Sequence, residues 1–156
     1  MIYTRNSLVI LAEAESLKQD LDPSIACAVV DTLSGWHPEL VMPSTDSLNP
    51  SLTYKDQAEQ NLNRSYLGLC QFLGASARDL GSKQDLEGLL VPETNLEIGV
   101  KLLKRSLAQT SDRLDRALVL MYGQRSSSLT ARVFSKINAY HRHLTSPARP
   151  QIAEQI

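Results

Sequence analysis

Aromatic residues are scarce in this chain of 156 residues: they make up 5% of it, with a single tryptophan. A β-sandwich draws heavily on Val, Ile, Thr and aromatic residues, so a composition led by leucine favours packed helices instead. No run of about 18 apolar residues occurs, which excludes a membrane-spanning helix. An excess of either charge is also missing, since 16 Lys and Arg face 17 Asp and Glu for a formal net charge of −1. A dedicated nucleic-acid binder displaces phosphate counterions with a basic excess, so nucleic acid is not an expected partner. Cysteine is limited to Cys27 and Cys70, each inside an apolar run. Two thiols alone do not establish a disulfide, and two small buried hydrophobes is the preferred reading. What is present, 42% hydrophobic and 21% charged residues, is ordinary material for one domain with a packed core.

The opening stretch, MIYTRNSLVILAEAESLKQD, has one arginine and only Leu8 to Ala12 as continuous apolar sequence. A secretory signal needs an apolar core of about 7–15 residues and a small-residue cleavage site. The stretch reads instead as an amphipathic helix over 6–21, with Asn6 or Ser7 as N-cap. The chain is therefore expected to lack an export signal and to be made in the cytoplasm. Asp22-Pro23 reads as an N-cap followed by proline at the first helical position, and Gly35 is placed to end that second helix. Further helices are predicted at 69–80, 84–90, 92–109, 112–122 and 128–144, the last from the stripe of Leu129, Val133, Ile137, Tyr140 and Leu144. Residues 36–65 break the pattern, with Pro38, Pro43 and Pro50 and little periodicity, and read as a loop with a short helix near 55–63. A loop of that length is usually functional or an inserted contact surface. The expected organisation is one domain over 1–144 carrying the inserted loop 36–65, then a tail over 145–156 that a neighbouring chain would hold.

Four segments, in order, carry a resemblance. Asp22 to Val30 leads into Leu33-Ser34-Gly35-Trp36-His37-Pro38. Gly68-Leu69-Cys70-Gln71 precedes Ala75-Ser76-Ala77-Arg78-Asp79-Leu80-Gly81. Val91-Pro92-Glu93-Thr94-Asn95-Leu96-Glu97-Ile98-Gly99 forms the third, and Ala117-Leu118-Val119-Leu120-Met121-Tyr122-Gly123 the fourth. Together these resemble the lytic transglycosylase domain of the goose-type-lysozyme superfamily, whose members cleave the glycan strands of peptidoglycan. The resemblance spans roughly residues 8–144. It implies a mainly α, lysozyme-like helical fold with little or no β structure. It also implies a cleft in which Gln71 and Ser34 keep substrate-binding positions and Tyr122 offers an apolar ring to a sugar face. The alternative for the same residues is that Gln71 caps the following helix and Tyr122 belongs to the core. Trp36 resembles a packing position of the family.

One departure weighs against catalysis. The family's catalytic acid is a glutamate at the end of the second helix, and here that position is Leu33. Cleavage needs a carboxylic acid, kept protonated by an apolar surround, to protonate the leaving oxygen. Leucine has no proton to give, and removing general acid–base catalysis costs about 10²–10⁴ in rate. The asparagine of the family's fourth motif is missing as well, since Tyr122 is followed by Gly123. Asp31 lies about 200° round the helix from Leu33 and faces away. Glu39, just past the Gly35 break, is the weak substitute acid, and Asp46 and Asp56 sit in the long loop.

His141 and His143 are two apart on a helix and His37 is distant, so no metal is expected; no cofactor motif is present either. Lys101, Lys104 and Arg105 read as a solvated helix face. The expected function is a degenerate lytic-transglycosylase-like domain serving as a structural or peptidoglycan-binding component of a bacteriophage tail or baseplate. Assembly inside the cell would make export unnecessary there. Expected partners are a peptidoglycan glycan strand and other structural proteins of an assembly, with neither membrane nor nucleic acid. The competing class is an active transglycosylase or lysozyme that uses Glu39.

Overall fold

Helix α2 (Pro23–Ser34) is the element around which the others assemble. Asp22 caps it, accepting from the Ser24 N–H at 2.9 Å, Pro23 opens it, and Gly35 ends it at φ 59°. Nine of its twelve residues are buried, so it is an interior helix rather than an amphipathic surface one. In the computed structural model, which describes residues 2–44, 54–123, 126–147 and 149, α1 (Arg5–Lys18) and α8 (Ser126–Thr145) pack against it. The long α6 (Pro92–Gln109) contacts α1, the short α5 (Leu86–Leu90) and α7 (Leu114–Tyr122). Where α2, α6 and α7 converge on Cys70, the remaining void is about 10 Å³, too small to hold an ordered water comfortably. Both cysteines are free and buried, and burial pushes each thiol up to about 12.

A small sheet stands beside this helical body. Strands β1 (Val41–Pro43), β2 (Ser65–Leu67) and β3 (Phe72–Leu73) are antiparallel in that order, with Val41 opposite Leu67 and Tyr66 opposite Leu73. The fold is thus mainly α with a minor sheet, in line with the sequence reading. The inserted stretch is more structured than a plain loop, because it contains β1, α3 (Tyr54–Asn63) and the first residue of β2. Asp46 lies outside the described residues, as does the Asp56 side chain, and so does the tail apart from 145–147 and 149.

Two local expectations are corrected. The helix expected over 69–80 is confined to α4 (Gly74–Asp79), because residues 72–73 pair with β2 and Gly68 and Gln71 both take positive φ between them. Pairing with a strand already in place overrides the local helical preference of this run. At the N-terminus the cap is Thr4, not Asn6 or Ser7. The Thr4 hydroxyl accepts from the Ser7 N–H, and the Ser7 hydroxyl accepts from the Thr4 N–H. That reciprocal box satisfies two otherwise orphaned donors.

A charged network fastens α1, α2 and α8 together. The Tyr140 hydroxyl donates to Asp31 Oδ2 at 2.6 Å and accepts from Trp36 Nε1 at 2.8 Å and Arg5 Nη2 at 3.2 Å. Asp31 also pairs with Arg5 at 3.1 Å and Lys136 at 3.0 Å. Burial alone would raise the Asp31 carboxyl. The hydrogen bonds from Tyr140 and Lys136 and the charges of Lys136 and Arg5 outweigh burial and hold it below its ordinary 3.8. Burial, then the bond to Asp31, pushes Tyr140 up to about 12.

Both signs of pH dependence follow. The Asp31 contribution to stability is complete above pH 3.8 and is lost as pH falls through the lower folded value. The Tyr140 contribution is complete below pH 10 and is lost as pH rises through about 12. Asp31→Asn is expected to cost about 1.5–3 kcal/mol near neutrality, with a gap to wild type that closes in acid. Urea midpoints of both proteins across pH test this, and a gap that persists in acid would refute it.

Candidate functional site

The end of α2 is joined to the sheet by a chain of tight turns. His37 N–H donates to Ser34 O at 3.1 Å, and Leu40 N–H to His37 O at 3.3 Å. Gly35 and Trp36 are both left-handed, with φ of 59° and 66°. Trp36 carries a Cβ that disfavours this conformation. Its ring is 5% exposed, lies 6.2 Å from the Tyr140 ring and donates to that hydroxyl, so the surrounding packing holds the turn. Leu40 then leads into β1, and its carbonyl accepts from the Gly68 N–H at 2.7 Å and from Gln71 Nε2 at 2.9 Å.

Gln71 is fully buried, at φ 51°, between β2 and β3. Its amide nitrogen also donates to Gly68 O at 2.9 Å, while Oε1 is buried without a partner. It does not cap α4, whose N-cap is Leu73 with no side-chain bond. Ser34 is 5% exposed and donates to Val30 O at 3.0 Å. Tyr122 is 1% exposed and donates to Cys70 O at 2.7 Å. The Tyr122 ring therefore sits in the core and presents no face to a sugar, which corrects the stacking expected of it. The structure gathers all three residues around the junction of α2, the sheet and α7, each with a hydroxyl or amide bonded to main chain.

Asn95, part of the third motif, has a role that its sequence context does not announce. It is fully buried on α6 and ties together three backbone groups. Its Oδ1 accepts from the Cys70 N–H at 2.9 Å, and Nδ2 donates to Leu67 O and Leu89 O, both at 3.0 Å. Gly68 must be glycine beside it, because φ is 65° and a Cβ there would strike the Asn95 amide. The available signal was an amide among the mostly apolar residues of the inner face of α6, which otherwise buries only Ser106 as a polar side chain.

The profile of the transglycosylase SLT domain matches residues 10–140. The chain belongs to this family. No curated protein and no solved structure matches it significantly. Membership makes this a peptidoglycan-related, lytic-transglycosylase-like domain.

Within this SLT domain the carboxylates near the end of α2 are distributed unequally. Leu33 is 7% exposed and part of the core. Asp31 is committed to three partners, Arg5 on α1 and Lys136 and Tyr140 on α8. Glu39 is exposed. His37 is exposed with Nδ1 2.9 Å from Ser34 O, and His141 and His143 are exposed on α8. Lys101, Lys104 and Arg105 are exposed on α6. Among the described residues no three His, Cys, Asp or Glu side chains gather as a metal site, and no helix is long and apolar enough to cross a membrane.

Removing the Asn95 amide would orphan one buried N–H and two buried carbonyls. Asn95→Ala is therefore expected to cost about 3–5 kcal/mol. Asn95→Asp is expected to fare no better, since a carboxylate would face the carbonyls of Leu67 and Leu89 with no donor. Thermal unfolding checks both, and a loss below about 1 kcal/mol for either would refute the clamp.

Proposed function

We propose that this SLT domain is catalytically inactive and serves as a structural or peptidoglycan-binding component, in an assembly such as a bacteriophage tail or baseplate. The observation that carries the reading is Leu33, a buried hydrocarbon at the position where the family places its acid. Among the described residues, neither Asp31 nor Glu39 supplies the lost function. Asp31 is held ionised on the other side of α2 by Tyr140, Lys136 and Arg5, whereas a general acid must arrive protonated. Glu39 is exposed and lacks the apolar surround such an acid requires.

A glycan strand is the ligand that family membership favours, and we place its contact along the segment from Ser34 to Leu40 and the β2–β3 turn. Residues 1–144 form the domain and 145–156 a tail. The insert over 36–65 and the tail are the parts we assign to contacts with structural neighbours in the particle, which would also carry the domain to the cell wall.

Peptidoglycan pull-down and turbidity clearing, run side by side on wild type and Leu33→Glu, test the reading. Wild type is expected to sediment with peptidoglycan without clearing it, and Leu33→Glu to gain clearing of at least about tenfold over background, within the range that general acid catalysis contributes. Clearing by wild type would overturn the inactive reading. If neither protein sediments with peptidoglycan, glycan binding is lost and the partners are proteins alone.

A further inference from the structure

On the side of α2 away from Leu33 lies a cavity of about 300 Å³ between the start of α1 and the second half of α8. That volume is at the lower end of sites that enclose a small ligand. Asp31 and Tyr140 line it with Arg5 and Lys136, while Val9 and Ala139 supply apolar wall. The network described above spends little of its cationic capacity. Arg5 uses a single nitrogen, Nη2, for both its bonds, and Lys136 makes one bond to Asp31. Both remain accessible, at 63% and 32% side-chain exposure.

Charge and shape then select the ligand. Two cations against one carboxylate leave the cavity one positive charge in excess, which a monoanion neutralises and a phosphate dianion exceeds. The planar Arg5 fork matches a planar carboxylate better than a point charge would. The surrounding field has the same sign, because Arg132, Lys136 and Arg142 are the formally charged residues of α8 and it carries no acid. Beside the cations, Val9 and Ala139 offer a short apolar wall, which suits a small apolar side chain. We propose that this cavity binds the free carboxylate of a short peptide with a small apolar terminal side chain. Peptides of that chemistry, ending in alanine, hang from the glycan strands of peptidoglycan. The inference thus rests on the wall-directed reading above and gives the domain a second contact, on the opposite face of α2 from its groove.

The test titrates the full chain with N-acetyl-D-alanyl-D-alanine, with its C-terminal amide and with inorganic phosphate, following backbone amide signals by NMR. The acid is expected to shift the signals of Asn6, Lys136 and Ala139, and the amide to bind about tenfold more weakly or worse, as loss of a charge-assisted pair requires. Arg5→Gln should weaken binding similarly but also disturbs the Asp31 network. Ala139→Leu therefore serves as the second variant, filling the cavity from an exposed helical position while leaving Tm unchanged and abolishing binding. Equal binding of acid and amide, equal binding of phosphate, shifts confined to other surfaces, or no shifts would each overturn the proposal. Pull-down with peptide-free glycan strands, run in parallel, separates the two readings. Glycan binding without peptide binding sinks this inference alone, and peptide binding without glycan binding sinks the groove assignment alone.

Discussion

A single buried amide sets the geometry of the turn between β2 and β3. Asn95 reaches from α6 to the end of β2, to the turn before β3 and to the end of α5. Without those bonds three main-chain groups would be buried and unpaired, and the turn carrying Gln71 would have no fixed height above α6. With the turn fixed, the Cys70 carbonyl is in place to receive the Tyr122 hydroxyl, and Gln71 can grip the Leu40 carbonyl from below. The route from α2 into the sheet therefore depends on a residue outside both.

Helical geometry decides what the carboxylates of α2 can do. Two residues along an α-helix turn about 200°, so Asp31 and Leu33 belong to different worlds. One side meets Arg5, Lys136 and Tyr140, where ionisation is rewarded. The other enters the apolar core, where a proton would be retained if there were a group to carry it. A change at position 33 thus alters the core side of the helix and leaves the electrostatic lock on α1 and α8 untouched.

Much of this was legible in the sequence. Asp22-Pro23 and Gly35 marked α2 at both ends, and α6 was read to its final bounds because Pro92 starts it and its apolar rows are long and regular. What escaped is what local sequence does not encode. β3 is two residues long and exists because β2 lies beside it. Asn6 and Ser7 were the caps expected of α1, and the reciprocal bonding of Thr4 with Ser7 starts the helix earlier than either. At the candidate site, the motifs named Ser34, Gln71 and Tyr122, but residue type does not say whether a polar atom faces solvent or main chain. The helical-face argument for Asp31 succeeded because it used rotation alone, and its partners on α1 and α8, 26 and 105–109 residues away, were beyond it.

The crossing of α6 over the β2–β3 turn has a consequence for how such a sequence can vary. A β-carbon added at Gly99 would collide with both the Sγ and the Cβ of Cys70, with the Phe72 ring just beyond. Space at this contact is shared property: whatever one position gains, the other must yield. Positions 70 and 99 should therefore change jointly across relatives, a larger residue in the turn always facing glycine on the helix. A pair-wise volume constraint of that kind belongs to the packing of the fold and holds whether or not the domain is catalytic.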